Sequence, residues 1–248
     1  MKFYASAGAI VFQTLFFSGV ATAGCSGTVF LTLDTGSMSQ ADNIAAILNK
    51  HQVKATFFLA NEKTVRSDYS LDSSWGDYWR ARVKEGHAFG SHTWRHWYFQ
   101  RDIKDGSIFY RAMDGSAHTR LTQADYCAEL KKPGEAFEKM TGQKLAGLWR
   151  APGGRLTARA SEWGAGCGFP RHVGWSDAGF LGDELPSERF PNDMLLKRAL
   201  SKIKDGDILV MHLGIWSRKD PFAPMLDPLI AGLKQRGLCF DTLKATNN

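Results

Sequence analysis

The chain of 248 residues holds only four cysteines and eight prolines. It has no Cys-x-x-Cys pair, which removes a cysteine-based zinc or dithiol redox centre from consideration. Beyond residue 20 no apolar run approaches the roughly 20 residues that a membrane-crossing helix needs. No internal repeat, Ser/Pro-rich linker or low-complexity tract breaks the chain, so its length is that of one ordinary domain. Neither sign of charge dominates: 31 Lys and Arg stand against 25 Asp and Glu, a net charge of +6, with both signs interspersed. Such a balance gives no nucleic-acid-binding face.

The N-terminus carries Lys2, an apolar stretch over 7–20 interrupted by Gln13 and Thr14, and then Ala21-Thr22-Ala23. A basic start, a short apolar core and a small-x-small end describe a secretory signal over residues 1–23, leaving a domain over 24–248. Two alternatives remain, an uncleaved anchor and lipidation of Cys25, although Thr22 stands where a lipidation signal has a large aliphatic residue. After cleavage no stable membrane span is expected. Cys25, Cys127, Cys167 and Cys239 all lie beyond the signal, and an even number in an exported, periplasmic or secreted protein points to two disulfides. Three pairings are open; the preferred one ties Cys25 to Cys239 and Cys127 to Cys167.

Strand and helix patterns alternate. The apolar run 28–33 precedes a helix opened by Ser39 with Asp42 at the capping-box position, where Ile44, Ile47 and Leu48 share one face. A buried strand over 53–60, a helix over 79–84, a long helix over 121–141, a strand over 145–149, a strand over 172–176, a helix over 192–204, the buried run 208–211 and a final helix and strand follow. The polar stretches 64–76 and 100–119 read as long loops. This order implies parallel strands with helical crossovers, in which functional residues gather at the C-terminal ends of strands.

Polar residues fall at those ends. Asp34 follows the first strand, His92 and His96 the second unit, Arg150 the strand over 145–149, and His212 the run 208–211. The two histidines lie four apart after a glycine-punctuated turn, and at i and i+4 of a helical turn both rings can reach one cation. Each residue alone has a plainer reading: a half-exposed histidine pair, a turn-capping Asp34, a surface Arg150, a core His212. Together they describe a site at a barrel mouth.

These residues resemble the NodB-homology polysaccharide deacetylases, carbohydrate esterase family four. Thr32-Leu33-Asp34-Thr35-Gly36 is similar to the family's T-F-D-D-G, and Lys54-Ala55-Thr56-Phe57-Phe58-Leu59 to its second strand. His92-Thr93-Trp94-Arg95-His96 matches H-[ST]-x-x-H, Arg150-Ala151-Pro152-Gly153-Gly154 resembles R-x-P-x-G, and 208–212 resembles the last strand with its histidine. The resemblance implies an α/β fold, a single-domain distorted or incomplete (β/α) barrel, and metal-assisted removal of N-acetyl groups from an amino-sugar glycan such as peptidoglycan. It implies a divalent metal, zinc or alternatively cobalt, on His92 and His96. It further implies Asp34 as base, His212 as acid, Arg150 as the partner of Asp34, and the Gly153 N–H as an oxyanion donor.

Two departures qualify the match. The family's second carboxylate, its third metal ligand, is Thr35 here, a poorer ligand, so the site would be completed by a water held on Thr35, by Asp34 turned toward the metal, or by another group, with Asp102, Asp105, Asp114 and His118 as possible substitutes. The family's D-x-x-D-W motif has no clean counterpart, and Asp177 is preferred over Asp183 as the carboxylate that orients His212. Thr35 leaves two alternatives to a metal-dependent enzyme: a catalytically silent glycan-binding relative and a metal-independent amidase on the same scaffold. Trp94, Trp97, Trp149, Trp175 and Trp216 offer faces for sugar stacking, most of them expected to serve packing instead.

Overall fold

A computed structural model describes Met1 and residues 24–245; the signal expected over 1–23 otherwise lies outside the described residues. In chain order the elements are β1 (Gly27–Asp34), α1 (Ala41–His51), β2 (Thr56–Leu59), α2 (Gly76–Lys84), β3 (Ala88–Ser91), β4 (Tyr98–Asp102), β5 (Ile108–Arg111) and β6 (His118–Leu121). They continue with α3 (Gln123–Thr141), β7 (Leu148–Trp149), α4 (Ala158–Gly166), β8 (Arg171–His172), α5 (Asn192–Lys202), β9 (Ile208–His212), α6 (Leu226–Gln235) and β10 (Leu238–Phe240).

The main sheet runs β10-β1-β2-β3-β7-β8, with β9 also paired to β1, and its ladders are parallel. β10 pairs with the first residues of β1 and β9 with the later ones, so β1 is paired along its length. Among the described residues no ladder joins β8 to β9; the irregular segment before α5 covers β9 through a single bridge, Phe180 to Val210. The fold is an incomplete (β/α) barrel in one domain.

Helices close the outside because their apolar residues recur at helical spacing. Ile44, Ile47 and Leu48 of α1, and Leu226, Leu229, Ile230 and Leu233 of α6, are buried against Leu31, Leu33 and Phe57 in the main core. The capping box expected at Ser39 and Asp42 does not form: Gln40 is the N-cap of α1 and Ser39 Oγ faces Ser37 Oγ at 3.1 Å. The Gln40 N–H donates to Leu213 O, which draws this loop onto the end of β9. A complete box appears instead at α3, between Thr122 and Asp125.

Residues 100–119 are not a loop. They build much of an antiparallel sheet, β4-β5-β6, whose buried residues Phe99, Ile108, Tyr110 and Leu121 pack with Tyr126 and Trp149 into a second core. Charged turns at either end of these short strands mask their alternation in the sequence.

Both preferred disulfides form, Cys25–Cys239 and Cys127–Cys167. The first spans 214 residues and the second 40. Loop-closure entropy gives about 5 kcal/mol for the longer and about 4 kcal/mol for the shorter. Denaturant unfolding of Cys25→Ser/Cys239→Ser should therefore show a loss at least as large as that of Cys127→Ser/Cys167→Ser; the reverse order would mean that native packing, not the closed loop, sets the contribution.

Candidate active site

The parallel strands deliver their C-terminal ends to one rim. Asp34 of β1 is the register partner of His212 of β9, and Ser91, next to His92, is the partner of Trp149, next to Arg150. Four segments distant in sequence thus present polar side chains within a few ångströms of one another.

His92 and His96 do not lie on a helical turn. They bracket a loop after β3 in which Thr93 (φ 66°) and His96 (φ 55°) adopt left-handed backbone, which costs a side-chain-bearing residue energy and persists only where surroundings hold it. The buried Glu129 of α3 holds it: its carboxylate accepts from the Arg95 N–H at 2.9 Å, Arg95 Nε at 2.7 Å and the Tyr110 hydroxyl at 3.1 Å, and its carbonyl accepts from the Trp94 N–H. The Arg150 carbonyl, which can only accept, lies 2.9 Å from His92 Nδ1, so Nδ1 carries the proton and Nε2 presents its lone pair. That Nε2 is 3.1 Å from Nε2 of His96. Burial holds the His92 ring neutral, its pKa down to about 4 against the upward pull of Asp34. Two imidazole nitrogens facing one point fit a borderline-soft divalent cation. Among the described residues no three His, Cys, Asp or Glu side chains group to hold a metal by themselves. The pair is therefore a two-nitrogen site that needs further donors.

Asp34 and His212 are held in opposite charge states. The wholly buried guanidinium of Arg150 donates to Asp34 Oδ1 at 2.8 Å, to Val173 O at 3.1 Å and to Gly174 O at 3.0 Å, and lies over the Phe58 ring. Burial opposes ionisation of Asp34, but Arg150, His92 and His212 outweigh it and keep the carboxyl below its ordinary range. Burial likewise opposes charge on His212, yet Asp183 raises its pKa to about 10. Asp183 Oδ2 accepts from the His212 N–H at 2.6 Å and lies 3.2 Å from Nδ1. This corrects the preference for Asp177, which opens a surface turn alongside Lys202 and Lys204. Asp177 lies beside the start of β9, where the Ser176 N–H donates to Ile208 O, whereas Asp183 sits against the far end of that strand at His212.

Thr35 enters the site through Glu62. Its hydroxyl accepts from the Ala60 N–H at 3.1 Å and donates to Glu62 Oε2 at 2.6 Å, an oxygen that also takes the Gly36 N–H at 2.6 Å. Glu62 Oε1 lies 3.1 Å from His96 Nδ1. The substitutes considered for the missing carboxylate are engaged elsewhere: Asp102 with Arg159, Asp105 with Arg120, Asp114 with Ser116, while exposed His118 lies tilted against the Phe109 ring. Sequence reasoning passed over Glu62, although it lies three residues beyond β2, the same strand-end address as the other polar residues.

A cavity of about 190 Å³ is lined by Asp34, His92, His96, His212, Gly153 and Trp175, among others. Gly153 (φ 59°) leaves room for Tyr98: a Cβ there would meet the Tyr98 ring at 2.6 Å, so any side chain at 153 would require that ring to move. The cavity continues past His96 and Met113 into a second of about 430 Å³ that includes Tyr69, Trp97 and Trp216. Trp216 is 63% exposed, while Trp149 is buried and Trp94 packs on the main core.

Comparison with known proteins places this architecture. A family model described as polysaccharide deacetylase matches residues 22–171. The uncharacterized protein YlxY of Bacillus subtilis is 28% identical over 202 residues, 82% of this chain, and the chain spans about half of that relative, 51%. A peptidoglycan-N-acetylglucosamine deacetylase of Bacillus cereus is 23% identical over 224 residues, covering 87% of this chain and 85% of the relative. The structure of a carbohydrate esterase family 4 pseudoenzyme from Bacillus anthracis superposes with a TM-score of 0.63 at 22% identity, covering 88% of this chain and 64% of that one.

Removing Arg150 tests the buried pair. The stability that Asp34 gains from its lowered pKa is present above the ordinary value of 3.8 and is lost as pH falls through the folded-state value. Arg150→Met should thus lose about 3–5 kcal/mol at pH 7 and less below about pH 4, where Asp34 can protonate. Denaturant unfolding at both pH values checks this; equal losses would assign the effect to packing.

Proposed function

The chain belongs to the polysaccharide deacetylase family, and from that membership and the cleft we propose an exported hydrolase that removes N-acetyl groups from amino sugars of a cell-envelope polysaccharide, peptidoglycan or another N-acetylglucosamine-containing glycan. One observation carries the reading: Asp34 and His212, partners on neighbouring strands, are a carboxylate held ionised by Arg150 and an imidazole held protonated by Asp183. A base and an acid side by side, each with its own fixing partner, suit amide hydrolysis.

His92 and His96 would hold a divalent cation, zinc or cobalt, which when bound supplies Lewis-acid polarisation of the acetyl carbonyl. Asp34 takes a proton from a water molecule as the water oxygen bonds to the carbonyl carbon. The Gly153 N–H faces the oxygen on which negative charge develops. His212 then gives its proton to the amide nitrogen as the carbon–nitrogen bond breaks, leaving acetate and the free amine. Arg150 holds Asp34 in place throughout, with three further contacts that prevent the guanidinium from following the proton.

The run of the cleft from Asp34 past Tyr69, Trp97 and Trp216 supports a polymeric substrate, because sugar rings stack on such faces. Two disulfides support an oxidising, extracytoplasmic location. Thr35 in place of a carboxylate favours a second reading, a glycan-binding relative without turnover.

Acetate release from N-acetylglucosamine oligomers and purified peptidoglycan separates the two. The enzyme reading expects activity lost to a chelator and restored by zinc or cobalt; chelator-resistant turnover would indicate a metal-independent amidase, and glycan binding without acetate the silent relative. Within an active enzyme, Asp183→Asn should lower the His212 pKa from about 10. Since the acid must be protonated, the alkaline fall of the kcat profile should move to lower pH; an unmoved limb would remove His212 from the acid role.

A further inference from the structure

Glu62 has no part in the reading above, yet its carboxylate reaches the site from outside the histidine pair. Oε2 is fixed by two short hydrogen bonds, from the Thr35 hydroxyl and the Gly36 N–H, both 2.6 Å. Oε1 stands 3.1 Å from Nδ1 of His96, the nitrogen turned away from His92. A histidine can give the Nε2 lone pair to a cation only when its remaining proton resides on Nδ1, and for His92 the Arg150 carbonyl secures that arrangement. Among the described residues the oxygen nearest to playing this part for His96 is that of Glu62.

We propose that Glu62 is a positioning residue that stands in for the carboxylate missing at Thr35, acting from behind His96 rather than as a ligand. Thr35 is then part of the device. An aspartate at 35 would set a second carboxylate against Glu62 where the threonine hydroxyl now donates, and like charges at that distance exclude each other. Beside Asp34 at the end of β1, the second carboxylate comes from the segment after β2, and Thr35 is the donor that anchors it. The two hydrogen bonds on Oε2 keep Glu62 from swinging to the Nε2 side of the pair. This inference rests on the metal-binding part of the proposed function.

Calorimetric titration of the full chain with Zn²⁺ and Co²⁺ tests it without reference to turnover. Glu62→Gln keeps the shape and removes the charge; its dissociation constant should rise about 10- to 100-fold, as for other outer partners of metal-bound histidines. The Co²⁺ absorption spectrum should keep its shape, because no ligand is lost. In a His96→Ala background the same change should add less than about twofold, since Glu62 acts through His96. Thr35→Asp/Glu62→Gln should recover at least part of the affinity, which also shows that the single variant's loss is not misfolding.

Affinity of Glu62→Gln within twofold of the parent, an equal loss in the His96→Ala background, or no recovery in the double variant overturns the inference. A changed Co²⁺ spectrum overturns it in favour of direct ligation. Metal affinity that depends on Glu62 as described, without acetate release from any glycan, leaves this inference standing while the deacetylase reading fails; acetate release with metal affinity indifferent to Glu62 does the reverse.

Discussion

The buried pair between Arg150 and Asp34 is the constraint on which the rim of the barrel depends. A guanidinium removed from water is tolerated only if its donors are met, and here β1 supplies the carboxylate, the segment after β8 two carbonyls, and β2 the face of Phe58. Each of those segments is thereby placed relative to the others. The Arg150 carbonyl then fixes His92, so one residue holds the Asp34 carboxylate with its side chain and orients the His92 ring with its backbone.

Parallel strands explain why so many functions share one place. In the main sheet every crossover returns the chain to the same starting end, so the opposite ends accumulate at a common rim. Neighbouring register does the rest: Asp34 beside His212 is a consequence of the pairing of β1 with β9. The antiparallel sheet β4-β5-β6 adds a second wall. Through Tyr110 and its hydrogen bond to Glu129 it supports the left-handed loop that carries His96, and through Tyr98 it occupies the space in front of Gly153. The loop of His96 and the space in front of Gly153 thus both depend on this one antiparallel sheet.

Much of the barrel was legible. The runs that became β1, β2 and β9 are continuous and apolar because these strands are covered on both faces, and α1, α5 and α6 show helical spacing. What misled was local chemistry overridden by tertiary contact. Ser39 and Asp42 have a capping-box spacing, but the loop is bound to Leu213 and Ser39 faces Ser37. His92 and His96 have helical spacing, but Glu129, more than 30 residues away, holds them on a loop. Residues 100–119 carry enough charge to read as loop, while Ile108 and Tyr110 are fully buried.

The sequence by itself determined the alternation of strands and helices in the barrel outside the 100–119 segment, the type of residue at its strand ends and the supply of cysteines for two bridges, since these follow from periodicity and residue chemistry read along the chain. Which carboxylate serves which histidine was decided only by the tertiary structure. Asp183 rather than Asp177 meets His212, and Glu62 rather than an acid of the 100–119 segment meets Thr35 and His96. Electrostatic partnership depends on distance through space, and a separation of 27 or 29 residues along the chain becomes 2.6 or 3.2 Å only after the strands have paired.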